Sequence, residues 1–340
     1  MTSSPWLYYP VAFLIAYFLT AAVRKYAIDR NVIDTPNERS SHARPTPRGG
    51  GVAFVTAFLL LSLLSVALLP VDTNVATAFI GAGLLTALVG FLDDHGHIPA
   101  RWRLVAHFSA AAWTLYWLGG PPPISLFGFD LAVSWPLSIV LALFLVWLLN
   151  LYNFMDGIDG LASAQAICVC IGGAMLYFVH GLPDVMFYPL LLACSTAGFL
   201  VWNFPPARIF MGDAGSGFLG ITLGGFIIKA AWIDDQLFWS WLILSGVFIL
   251  DATWTLIRRL LRKEKVYEAH RSHAYQYASR KLGSHRTVTL AVIAINVLWL
   301  YPMAYLASTR TYNPSLITLV AYIPLCLLAY IFKAGQQEQG

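Results

Sequence analysis

The chain has 340 residues, 58% of them hydrophobic and 11% charged, with a mean hydropathy of +0.67 and a formal net charge of +4. Soluble domains carry about 25% charged residues, so this composition excludes a water-soluble globular protein and points to a membrane protein.

A bilayer core of about 30 Å needs roughly 20 apolar residues per helix. Apolar runs occur near 6–23, 51–69, 75–92, 104–118, 132–151, 161–179, 185–203, 215–233, 237–257, 287–308 and 314–333. The expectation is therefore an all-α, polytopic membrane protein with about eleven spans, or ten to eleven. The first run has no basic segment ahead of it and no small-residue cleavage site before Arg24, so it reads as a retained span. The run 104–118 is the shortest and is expected to begin earlier, with its basic end snorkelling to the interface. The connecting segments 24–50, 93–103, 152–160, 204–214 and 258–286 are too short to fold alone, so residues 1–340 form one membrane domain. Cys168, Cys170, Cys194 and Cys326 lie inside apolar runs without metal-ligand spacing and read as buried free thiols.

Lys and Arg set the orientation. With 24–50 placed in the cytoplasm and the spans alternating, 19 of the 21 basic residues fall in cytoplasmic segments. The amino terminus is then periplasmic and the carboxy terminus cytoplasmic. The acids divide the same way. Asp72, Asp130, Asp184, Asp234 and Asp235 are scattered in short periplasmic turns, where helix capping explains them. Asp93, Asp94, Asp156, Asp159 and Asp213 all lie at the cytoplasmic mouths of long apolar runs.

Five stretches carry the chemistry. ERSSHARPTPRGGGVAF, Glu38 to Phe54, is a Pro- and Gly-rich loop entering a span. His42, Arg44 and Arg48 put positive charge where a lipid phosphate lies, although Arg44 is equally well explained as a positive-inside residue. FLDDHGHIPARWR, Phe91 to Arg103, ends a span on two adjacent acids followed by His95, His97, Arg101 and Arg103. A polar helix terminus is the plain reading. Acids at a carboxy-terminal helix end oppose the macrodipole, however, and adjacent acids ask for a cation.

NFMDGIDGLA, Asn153 to Ala162, spaces Asn153, Asp156 and Asp159 three apart, so they share a helical face. Such oxygen donors suit Mg²⁺, and the spacing is not that of a calcium-binding EF-hand. ARIFMGDAGSGFLG, Ala207 to Gly220, is a glycine-rich opening to an apolar helix that could cradle phosphate or simply serve close packing. Phe210 could stack a base. RRLLRKEKVYEAHRSHAYQYASRK, Arg258 to Lys281, is a basic juxtamembrane segment whose first arginines serve topology or anionic lipid. His270, Arg271 and His273 form a denser knot suited to phosphate and lack zinc-site spacing. Together, metal-binding acids, phosphate-binding bases and glycines set against lipid fit phosphoryl transfer between a soluble donor and a membrane-bound acceptor.

In this order, and from about Ser40 to Gln276, these stretches resemble the polyprenyl-phosphate N-acetylhexosamine-1-phosphate transferases. LDD, NFMDGIDGLA and FMGDAGSGFLG carry the likeness. The resemblance implies transfer of a sugar-1-phosphate from a UDP-N-acetylhexosamine to undecaprenyl phosphate, with release of UMP, at the bacterial inner membrane. It implies Mg²⁺, or Mn²⁺, as cofactor, membrane lipid as surroundings, no nucleic-acid partner, and the option of a homodimer. It implies that Asp93 and Asp94 are the catalytic acids and that Asp213 and Asn153 ligate the metal. Asp156, Asp159 and Phe210 are then nucleotide-binding, Arg103, Arg271 and His273 phosphate-binding, and His42 with Arg48 the lipid-phosphate loop. Direct attack by the lipid phosphate is favoured over a covalent aspartyl intermediate, because that phosphate is itself an adequate nucleophile.

Of the histidine-rich pattern in the family's last large cytoplasmic loop only His273 is kept cleanly, with Tyr275 and Gln276 where histidines would stand. This favours UDP-GlcNAc or a 6-deoxy relative, and initiation of O-antigen or another surface polysaccharide. The muramoyl-pentapeptide donor of peptidoglycan synthesis is the alternative within the family. A secondary transporter is the alternative from another class, but transporters place their ionisable groups near the bilayer midplane.

Overall fold

In the computed structural model residues 5–36, 44–96, 98–264 and 270–336 are described, and the chain is 76% helical. Fourteen helices follow in order: α1 (Tyr8–Asp29), α2 (Gly51–Leu68), α3 (Thr73–His95), α4 (Ala100–Trp117), α5 (Trp135–Phe154), α6 (Leu161–Val179), α7 (Phe187–Asn203), α8 (Asp213–Ile233), α9 (Asp235–Leu244), α10 (Gly246–Leu261), α11 (Ala274–Leu282), α12 (His285–Ile295), α13 (Tyr301–Ser308) and α14 (Pro314–Ile331). A π turn over Asn296–Leu300 joins α12 and α13 into one span, His285–Ser308. Two small antiparallel pairs, β1 (Ile33–Asp34) with β2 (Thr46–Pro47) and β3 (Ile124–Leu126) with β4 (Phe129–Leu131), were not legible in the hydrophobic pattern.

Every predicted run is helical. Among the described residues nine helices are long and apolar enough to cross a membrane, and α9 with α10 makes a tenth as a bent pair. The eleventh run is α4, which begins at Ala100, earlier than the apolar stretch, so that its first turns carry Arg101 and Arg103 and lower its hydropathy. The expected single span 237–257 is corrected: it breaks at Ser245, and its halves meet at 71°. A broken helix in lipid must find new partners for its freed carbonyls. Here the Gln165 amide, from α6, donates to the Leu244 carbonyl at 3.1 Å, and Asn296 at the π turn donates to Gln165 Oε1 at 2.6 Å.

Helix α8 is the axis of the bundle. It is buried without interruption from Ala214 to Ile228 and packs against α3, α5 and α9. With little hydrophobic drive between helices in lipid, close approach depends on small side chains. Gly90 of α3 shows why: a Cβ there would lie 2.4 Å from the Ala214 nitrogen and 2.5 Å from the Asp213 carbonyl. This contact draws the end of α3, carrying Asp93 and Asp94, onto the start of α8, carrying Asp213.

Candidate active site

The site is assembled from helix ends at one end of the bundle. Asp213 is the first residue of α8. Asp94, whose side chain is 1% exposed, accepts from the Asp213 amide at 3.1 Å and the Ala214 amide at 3.4 Å. A carboxylate on these amino-terminal N–H groups is favoured by both capping and the helix dipole. Gly212 leaves room for it, since a Cβ at this position (φ +79°) would lie 2.6 Å from Asp94 Oδ2.

Arg48 completes the cluster. Its Nη2 lies 2.7 Å from Asp94 Oδ1 and 2.8 Å from Asp213 Oδ1. Backbone pairing puts it there: Phe210 N–H donates to the Pro47 carbonyl, and Gly50 and Gly51 donate back to the carbonyls of Phe210 and Met211. Burial works against the guanidinium charge, but Asp94, Asp213 and Asp34 outweigh it and hold its pKa above the usual value. Asp93 adjoins the cluster through Asp213 and is held from its other side. It accepts from Arg103 Nη1 at 2.5 Å and from the Ile98 amide at 2.9 Å. Arg103, expected as a phosphate ligand, is thus placed first as the partner of Asp93.

The turn between α5 and α6 brings the second group of acids. Asp156 is half-buried yet closely surrounded by protein. Burial, then the charges of Asp213, Asp94 and Asp159, push its carboxyl well above the usual range, with Arg48 opposing. Asn153 Nδ2 lies 3.4 Å from Ser216 Oγ on α8, leaving its amide oxygen as the atom fit for a cation. Asp159 is turned away from this group. Its Oδ2 accepts from the Ala207 amide at 3.0 Å and its Oδ1 lies 3.2 Å from His285 Nδ1. With Phe210 it lines a cavity of about 470 Å³, together with Arg44, the Pro205–Ala207 turn and the Gly283–Arg286 turn.

The segment 270–276 abuts the Asp156 turn through Tyr275, whose hydroxyl donates to the Phe154 carbonyl at 2.9 Å. His273 is 3% exposed and caps α11 in a capping box with Gln276. Its Nδ1 stands 3.4 Å from Asp251 Oδ1, and Asp251 also accepts from the Ala274 and Tyr275 amides. His270 stacks on His273. Burial, then His273 and Arg259, push His270 down to about 3, against its charged form. His42 and His97 lie outside the described residues.

Of the predicted residues, then, Asp94, Asp213 and Arg48 converge, with Asp156 and Asn153 beside them. Asp93 and Arg103 form a neighbouring pair, Asp159 and Phe210 share the cavity, and His273 with Arg271 borders the Asp156 turn. Sequence reasoning missed Asp251, His285, Thr289 and Asn203. Asp251, Thr289 and Asn203 are polar residues in an apolar helix or at its tip, His285 lies in the polar run 284–287, and no motif spacing marks any of them. A polar residue inside a span was the one available signal.

Among the described residues no three acidic, histidine or cysteine side chains stand close enough to form a complete metal site by themselves. Mg²⁺ would take one or two of the carboxylates here and fill its shell with water and substrate phosphate. The donor set fits such an ion: Asp213, Asn153 and Asp156 offer oxygens, and burial, then the charges of Asp213, Asp94 and Asp159, raises the Asp156 carboxyl.

The glycosyl transferase family 4 sequence model matches residues 75–231, which include both acid pairs, Asn153, Phe210 and Asp213. A probable undecaprenyl-phosphate N-acetylglucosaminyl 1-phosphate transferase of Bacillus subtilis is 28% identical, over 94% of this chain and 90% of its own. A decaprenyl-phosphate N-acetylglucosaminephosphotransferase of Mycolicibacterium smegmatis is 31% identical, over 89% of this chain and 81% of its own. A phospho-N-acetylmuramoyl-pentapeptide-transferase of Streptococcus pneumoniae is 31% identical over a shorter region, 61% of this chain and 65% of its own. The motif order, the helix-end acids and these likenesses agree, and the chain belongs to glycosyl transferase family 4, the polyprenyl-phosphate N-acetylhexosamine-1-phosphate transferases.

Proposed function

We propose that the chain transfers N-acetylglucosamine-1-phosphate from UDP-GlcNAc to undecaprenyl phosphate, releasing UMP. We place it in the bacterial inner membrane with the acid cluster facing the cytoplasm, opening the synthesis of O-antigen or another surface polysaccharide. The observation that carries the reading is the meeting of Asp94, Asp213 and Arg48 at the buried amino terminus of α8, with Asp156 beside them. It is a site for divalent cation and phosphate at the lipid interface. The extent of the likeness supports the donor: the N-acetylglucosaminyl relatives match along about nine tenths of this chain, the muramoyl-pentapeptide relative along 61%.

Asp213 and Asn153, with Asp156, would hold Mg²⁺ or Mn²⁺. When bound, the ion would neutralise charge on the donor diphosphate. The rest is done by the chain's own groups. Arg48 supplies a guanidinium for phosphate oxygens beside the acids. Asp93, fixed by Arg103 and the Ile98 amide, orients the acceptor head group. A lipid phosphate oxygen then attacks the sugar-bearing phosphorus of the donor, the bond to the UMP oxygen breaks, and UMP leaves with that electron pair. Phe210 and Asp159 hold the uridine in the 470 Å³ cavity.

The purified chain with labelled UDP-GlcNAc, undecaprenyl phosphate and Mg²⁺ is expected to release UMP in step with a lipid-linked diphosphate sugar. UDP-MurNAc-pentapeptide in the same assay is expected to give none. Absence of UMP with every UDP-N-acetylhexosamine tried overturns the assignment.

A further inference from the structure

Asp159 is gripped on both its carboxylate and its backbone, and two of the grips come from one face of α12. Its Oδ2 accepts from the Ala207 amide at 3.0 Å, and His285 Nδ1 stands 3.2 Å from its Oδ1. Its carbonyl accepts from the Thr289 hydroxyl at 2.9 Å. The next amide, Gly160, donates to Asn203 Oδ1 at 3.0 Å. His285 and Thr289 are four residues apart and so lie on the same helical face.

The local sequence builds this clamp without a linker. Gly283 closes α11 in the left-handed conformation (φ +62°), and Ser284 at once caps α12 by accepting from the Thr287 amide at 3.1 Å. His285 is therefore the first residue of α12, held against the turn between α5 and α6. Its Nδ1 also lies 3.4 Å from the Asp159 amide nitrogen, but the carboxylate contact is the shorter and the charge-assisted one.

We propose that His285 is a positioning residue for the donor nucleotide. Together with the Ala207 amide it fixes the Asp159 carboxylate in the single orientation that meets the uridine, while Thr289 locks the peptide behind it. This rests on the reading of the 470 Å³ cavity as the nucleotide pocket. His285 acts through Asp159 and does not reach the reacting phosphates. Pre-setting one orientation lowers the ordering cost of binding, so the effect falls on donor affinity rather than on the chemical step.

His285→Ala is expected to raise KM for UDP-GlcNAc about ten-fold, in the range for losing one charged hydrogen bond. Its kcat and its KM for undecaprenyl phosphate stay near wild type. His285→Asn, whose Nδ2 falls near the Nδ1 position, restores most of the affinity, whereas His285→Gln does not. The double variant His285→Ala/Asp159→Asn is no worse than Asp159→Asn alone, since the two act as one unit. UMP binding measured by calorimetry without acceptor follows the same order. A wild-type chain that binds no UMP overturns the pocket reading and the positioning role with it. Wild-type binding and turnover with an unchanged donor KM in His285→Ala, or with multiplicative losses in the double variant, overturns the positioning role alone.

Discussion

Arg48 and Asp94 show how a single side chain here serves structure and chemistry together. Asp94 satisfies two amides at the start of α8 and pairs with Arg48, so removing it does two kinds of damage. Asp94→Ala is expected to lose about 1–2 kcal/mol of stability, the usual scale for an amino-terminal cap. Asp94→Asn keeps an acceptor oxygen and stays close to wild type in thermal denaturation, while its activity falls for want of the charge. Equal destabilisation by both variants would remove the capping account. Asp213→Asn is a cleaner test of metal binding, because its side chain is 25% exposed and makes no helix cap. We expect kcat to fall at least about 100-fold, with little change in melting temperature and with weaker Mn²⁺ binding read directly by calorimetry. Full activity in Asp213→Asn would exclude it as a ligand. At this scale the motifs put Asp93, Asp94, Asp156, Asp159 and Asp213 near one another, but the shared helical face expected for Asn153, Asp156 and Asp159 is corrected: α5 ends at Phe154, and in the turn that follows Asp159 faces Ala207 and His285 instead. The sequence was silent on who holds whom. The Arg103–Asp93 and His285–Asp159 pairs join residues 10 and 126 positions apart, and neither leaves a periodic trace.

Among the helices, the site depends on how closely α3 approaches α8. Gly90 has no space for a methyl group, because the obstacle is backbone at 2.4–2.5 Å and cannot rotate away. Gly90→Ala must push α3 off α8 and carry Asp93 and Asp94 with it. A shift of about 1 Å in a positioned group costs about 100-fold in rate, so kcat is expected to fall by that order, accompanied by the 1–3 kcal/mol typical of overpacking. Gly217 on α8 is the control: a Cβ there meets only Leu149 side-chain atoms at 3.7–3.9 Å, and Gly217→Ala is expected to retain activity. Similar activities for the two variants would show that the α3–α8 spacing does not set the site. The helices themselves were legible because long apolar runs have one outcome in lipid. The 71° break at Ser245 carried only the weak signal of a Ser–Gly pair, and the freed carbonyl is met by Gln165, a residue 79 positions away.

For the whole molecule, charge distribution and fold make one claim about direction. The acid cluster, the Asp159 cavity and the 270–276 segment all lie at one end of the bundle, where α3, α5 and α7 finish and α2, α6, α8 and α12 begin. The segments at that end carry nearly all of the basic residues, and cytoplasmic loops are the basic ones. On the proposed function, a soluble donor nucleotide would enter at this same end. Lys281 precedes α12 there, and Arg310, with a side chain 82% exposed, follows α13 after one crossing. The native cysteines all lie within helices, so introduced thiols report cleanly. Arg310→Cys is expected to react with a membrane-impermeant maleimide added to intact spheroplasts. Lys281→Cys is expected to react only after permeabilisation. The reverse pattern would place the acid cluster outside, away from any cytoplasmic nucleotide sugar, and would defeat the proposed reaction on geometry alone, whatever the purified chain does in detergent.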